Sequence, residues 1–90
     1  MVNLYMYMLV GEFDDGKFEQ EVINSGVAIL VSTQDEHVFV FPAGIIRIEY
    51  DDEDRTWVIR LYGDVYKLLY MIYRYIHNVI DVHVSFNDGD

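Results

Sequence analysis

Sixteen carboxylates and three histidines are the groups in this chain with the means to do chemistry, and their spacing points away from catalysis. A general acid or base needs burial to shift its pKa, and most of the acids fall in stretches that read as exposed turns. His37, His77 and His83 do not sit at ligand spacing within one element. His77 and His83 can approach in space, but a histidine at a helix end more often complements the helix dipole. The run Asp51-Asp52-Glu53-Asp54 lacks the alternation and central glycine of a calcium loop. No cysteine is present, which removes disulfides, thiolate nucleophiles and cysteine zinc sites. The six glycines are scattered, with no phosphate-cradling run, no G-x-S-x-G and no H-E-x-x-H. The expectation is a protein that is not an enzyme and that uses no metal and no cofactor.

The acids are informative as a distribution. Asp14 and Asp15 occupy one candidate turn, Asp35 and Glu36 another, and Asp51, Asp52, Glu53 and Asp54 a third. In an up-and-down meander of strands, alternate turns share one end of the sheet, so all three would form an acidic rim. The turns at Asn24-Ser25-Gly26 and Pro42-Ala43-Gly44 carry no charge and would share the opposite end. A helix over residues 17–23 would shift that parity. With a formal charge of −10, the chain is a poor direct ligand for DNA, RNA or anionic lipid, which demand basic patches. The partner it suits is a basic protein surface, including one that ordinarily holds nucleic acid, because closely spaced carboxylates imitate phosphates. The simpler alternative is that the charge keeps an apolar chain soluble.

The elements that position these groups follow from the hydrophobic pattern. Residues 2–13, 17–23, 27–33, 37–41, 45–50, 55–62 and 79–86 read as strands and residues 64–78 as a helix, in a single domain over residues 1–90. Asp15-Gly16 has the form of a two-residue hairpin turn, with Phe13 opposite Phe18 and Asp14 opposite Lys17. The competing reading is a short helix at residues 17–23, closed by Asn24-Ser25-Gly26. Ile46, Ile48 and Tyr50 alternate with Ile45, Arg47 and Glu49, and Trp57, Ile59 and Leu61 with Thr56, Val58 and Arg60, so this hairpin has one apolar face and one mixed. Asp64 is a suitable N-cap for the helix, whose core stripe is Val65, Leu68, Leu69, Ile72 and Ile76. Tyr62, Tyr66, Tyr70, Tyr73 and His77 form a second stripe and Arg74 lies beside it. Tyrosine and arginine are common interface anchors, which suggests a homodimer through this helix face. The fold class is therefore α+β, a mainly antiparallel sheet of six to seven strands with one helix near the C-terminus packed on it.

Residues 44–77, a hairpin with a Trp strand leading directly into an amphipathic helix, resemble the end of a pleckstrin-homology-like domain. The strand expected after the helix departs from that fold, and no basic headgroup loop is visible, so its lipid function is not implied. In being short, acidic, aromatic-rich and free of catalytic motifs, the chain also resembles the small inhibitors encoded by phages and archaeal viruses, including anti-CRISPR and DNA-mimic proteins. That likeness implies a host-cytoplasmic inhibitor. The opening apolar run is too short to cross a bilayer, which takes about 20 residues, and it lacks the flanks of a signal peptide. Two further readings stand beside the inhibitor: an assembly protein acting through its tyrosine face, and a small-ligand binder with an aromatic pocket between subunits.

Overall fold

The computed structural model describes residues 3–26 and 28–87. Val2 and Val27 at the starts of two expected strands, and residues 88–90 of the polar tail, lie outside them. Six strands form one antiparallel sheet: β1 (Asn3–Phe13), β2 (Ala28–Ser32), β3 (Glu36–Phe41), β4 (Gly44–Asp51), β5 (Thr56–Gly63) and β6 (Ile76–Asn87). Two helices accompany it, α1 (Asp15–Ser25) and α2 (Val65–Ile72), and a 3-10 turn at Tyr73–Tyr75 joins α2 to β6. The class is α+β, as the pattern implied.

The strand order is β2-β3-β4-β5-β1-β6, which corrects the simple meander. β1 lies inside the sheet, paired antiparallel to β5 on one side and to β6 on the other. Only β2 to β5 follow one another as neighbours.

The second correction is at residues 17–23, which are helical rather than a strand. The Asp14 side chain caps the helix by accepting from the Lys17 backbone N–H at 3.4 Å. Phe13, just before the cap, packs on Phe18 with ring centroids 5.4 Å apart. Those two positions are the ones a hydrophobic staple uses to fix the entry angle of a helix. Gly26 closes the helix in the left-handed conformation at φ +78°, where a side chain would be strained. The pairs expected across a hairpin are thus both present, Phe13 with Phe18 and Asp14 with Lys17 at 3.8 Å. A helical first turn brings them together instead of a β-turn.

The core lies on one face of the sheet. Phe39 of β3, Ile46 and Ile48 of β4 and Ile59 and Leu61 of β5 are fully enclosed beneath Val65, Leu68 and Ile72 of α2, with Phe18 and Val22 of α1 alongside. The opposite face is mixed, with Arg47 bridging Glu36 at 2.8 Å and Glu49 at 2.9 Å, and Arg60 meeting Glu49 at 3.0 Å. The hairpin of β4 and β5 pairs Ile46 with Leu61, Ile48 with Ile59 and Tyr50 with Trp57, the face that the alternation assigned. Asp64 caps α2 as expected, accepting from the Lys67 N–H at 3.2 Å. That helix is shorter than residues 64–78. The chain leaves it at Tyr73, and His77 lies in β6 rather than at a helix end.

Candidate functional site

The acidic rim is assembled despite α1. A helix that crosses the sheet carries the chain from one end to the other, as the expected strand would have done. Eleven residues of α-helix rise about 16 Å, comparable to a strand of five residues. With β1 and β5 antiparallel, β5 and β4 antiparallel, and so on outward, the end of β1, the turn from β2 to β3 and the turn from β4 to β5 all fall at the same end. Two contacts tie these segments together. The Tyr50 N–H donates to the Asp35 carbonyl at 2.9 Å, and Asp15 lies 3.5 Å from His37 at the start of β3.

The eight carboxylates are not equivalent. Asp35, Asp52, Glu53 and Asp54 are exposed. Asp51 is half-buried and accepts from the Glu53 and Asp54 N–H groups, which shapes the turn. Asp14 is engaged as a helix cap, and Glu36 is committed to Arg47. A cleft of about 420 Å³ opens at this end, walled by Glu49, Asp51, Asp52 and Glu53, with Arg60 also on its wall. The Glu36 carboxylate, with help from Glu49, holds the Arg47 guanidinium above its ordinary range, so that charge is spent within the sheet.

Asp15 belongs to a separate arrangement that the sequence reading did not bring out. Ligand atoms of Asp15, Glu19 and His37 lie within 4.8 Å of one another. His37 is 5% exposed. Its Nδ1 pairs with Ser32 Oγ at 3.0 Å, while the Ser32 hydroxyl donates to Glu19 Oε1 at 3.1 Å. The other ring nitrogen, Nε2, lies 3.5 Å from Asp15 Oδ2. Asp15 Oδ1 is buried with no hydrogen-bond partner. Burial first, then the neighbouring Glu19 and Asp14 charges, push the Asp15 carboxyl up, against the pull of His37. These three side chains are the described set with the chemistry to hold a divalent cation. With Ser32 added, the order is that of a hydroxyl–imidazole–carboxylate relay, but Ser32 Oγ also lies 3.1 Å from Glu19 Oε1.

The tyrosine face divides. Tyr66 and Tyr70 of α2 are 81% and 77% exposed, and Tyr73 is exposed beside Tyr70 with centroids 5.8 Å apart. Arg74 is also exposed and pairs with Glu21 of α1 at 3.0 Å. Tyr62 is not part of this face. It lies in β5 on the other side of the sheet, half-buried and edge-on to Tyr5 at 6.0 Å. His77 is likewise separate, on β6 opposite Glu12. Tyr75 is buried, and that burial raises its phenol pKa. Between the two helices runs a groove of about 820 Å³, floored by Phe18, Val22, Phe41 and Met71 and edged by Tyr66 and Tyr70. The groove is formed by residues of one chain.

Comparison of the chain with protein-family models, with curated proteins and with solved structures finds no match. Among the described residues, no helix is long and apolar enough to cross a membrane.

Proposed function

We propose that this protein acts by binding rather than by catalysis, and that its acidic end occupies a basic surface on a partner protein. The observation that carries the reading is the cleft at that end: acids from β4 and the β4–β5 turn wall a concavity wide enough for a lysine or arginine side chain. Asp52 and Glu53 on its wall are exposed, as are Asp35 and Asp54 in the turns at the same end. A partner whose basic surface ordinarily holds nucleic acid fits such a field, and the protein then acts as an inhibitor of the DNA-mimic or anti-CRISPR type. Long-range attraction between the acidic end and that surface speeds encounter and is weakened by salt.

The test is affinity capture at about 0.05 M and about 0.5 M salt, between which the Debye length falls roughly threefold. The native chain is run beside a variant carrying Asp52→Asn, Glu53→Gln and Asp54→Asn. Capture of a basic protein at low salt, its release at high salt and its loss in the variant support the reading. A partner retained equally at both salts and by the variant refutes it.

A second reading, self-association through α2, is favoured by one observation: Tyr66, Tyr70 and Tyr73 form a contiguous exposed aromatic surface. Changing Tyr66 and Tyr70 to glutamate, and finding the same solution mass in a folded protein, eliminates it.

A further inference from the structure

We infer that β6 is a pairing edge for a second copy of this chain, with the two strands meeting antiparallel about a two-fold axis at Val82. Among the described residues, β6 is a terminal strand of the sheet and is bonded on one side only, to β1. It is twelve residues long and contains neither lysine nor proline, residues that commonly blunt an edge; a bulge between His77 and Asp81, where Asn78 has φ +49°, leaves Asp81–Asn87 as its regular stretch. Its apolar row is uncovered: Ile80 is 66% and Phe86 63% exposed, and Val82 and Val84 lie between them. The helices stop short of this row, since the core beneath them is built from β1 and β3 to β5.

The backbone at the centre of the strand is directed outward. The Val82 N–H is taken by the Asp81 side chain, Oδ1, at 2.9 Å, and that carboxylate's other oxygen meets His83 Nε2 at 2.9 Å. A side chain thus stands where the carbonyl of a further strand would accept. Backbone groups of one residue point to the same side of a strand and alternate along it, so the polar groups of Val84 share that outward direction.

The residue sequence then selects the occupant. Directly opposed residues in an antiparallel pair must lie on the same sheet face, so a symmetric partner strand can be centred on a residue but not between two. Centring on Asp81 opposes two aspartates, and centring on His83 opposes two histidines. Centring on Val82 sets Asp81 against His83 of the second copy, twice by symmetry, and sets Ile80 against Val84; pairing then exchanges the Asp81 contacts to Val82 N–H and His83 within each chain for contacts across the axis. That register alone of the three satisfies both the polar and the apolar rows. It continues the sheet through the dimer.

Sedimentation velocity from about 1 to about 300 micromolar reads the association over the range expected of a small edge-to-edge contact. The native chain should show a reversible dimer. His83→Asp places like charges opposite each other twice and should weaken the dimer about tenfold. Asp81→His combined with His83→Asp restores the pairing and should recover the native affinity, which also separates an electrostatic loss from a folding defect. Tyr66→Glu with Tyr70→Glu should leave the dimer intact. A chain that stays monomeric across the range overturns the inference, as does a dimer indifferent to His83→Asp or abolished by the tyrosine changes. Because β6 contains no residue of the acidic end, these outcomes are independent of partner capture.

Discussion

Replacing Gly16 with alanine tests the element that positions Asp14, Asp15 and Glu19. Gly16 is the second residue of α1, after the Asp14 cap. A Cβ built there meets nothing within 4 Å, and the residue does not hold a positive φ. Alanine therefore fits without strain, and it gains in two ways. It is the better helix former, and it reduces the freedom of the unfolded chain. Together these are worth about 0.4–1 kcal/mol. For a domain near this size, that raises Tm by about 2–8 °C. In an Asp15-Gly16 hairpin turn both central residues require positive φ, and alanine there costs about 1–2 kcal/mol. The two arrangements predict opposite signs. Urea unfolding of Gly16→Ala followed by circular dichroism decides between them: a midpoint below that of the native chain refutes the helical account of this segment and its placement of the acidic tip.

Three further outcomes are expected. Phe18→Ala removes a ring that sits edge-on to Phe13, Phe39 and Tyr75 at 5.2–5.4 Å, and should cost about 3–5 kcal/mol in a urea titration. Gly11→Ala places a Cβ 2.9 Å from the Asn78 carbonyl oxygen and 3.1 Å from Val79 Cα, so it should force β6 away from β1 and speed amide exchange in β6 more than in β4. Asp15 binds its proton more tightly folded than unfolded, so the stability linked to it is present at low pH and lost as pH rises through its folded pKa. Asp15→Asn should therefore flatten the pH dependence of Tm above the usual carboxylate range and raise Tm at neutral pH; a variant less stable than native at neutral pH would count against the desolvation account.

What was legible in the sequence was whatever a single element encodes. The alternation through Ile46, Ile48, Trp57, Ile59 and Leu61 identified the buried face of the β4–β5 hairpin, and Asp64 marked the start of α2. The segment after Phe13 was ambiguous for a physical reason. Residues five apart across a capped turn meet in a helix as they do across a two-residue hairpin, so Phe13 and Phe18 satisfied both. The decisive signal was the apolar pair Phe18 and Val22, four apart, with Glu19 and Gln20 between. Asp15, Glu19 and His37 were beyond reach on that reading, because the first two share a face only on a helix and the third comes from β3. Tyr62 was assigned to the helix stripe by spacing alone, although Gly63 breaks the chain between them. The insertion of β1 between β5 and β6 is set by long-range pairing that no local pattern reports.

The survival of the acidic end through a wrong assignment of α1 has a general cause. Charge at the ends of a sheet depends on how many times the chain crosses it, and a helix laid along the sheet counts as one crossing, as a strand does. The geometry also keeps the surfaces apart. The acidic cleft lies at the β4–β5 turn, the apolar groove between α1 and α2, and the open edge along β6. They share no residue, so changes at one should add to changes at another within about 0.5 kcal/mol. A triple neutralisation of Asp52, Glu53 and Asp54 combined with His83→Asp should then lose partner capture and self-association by the same factors as each set alone. Strong non-additivity in either readout would show that partner binding and pairing through β6 are one event and not two.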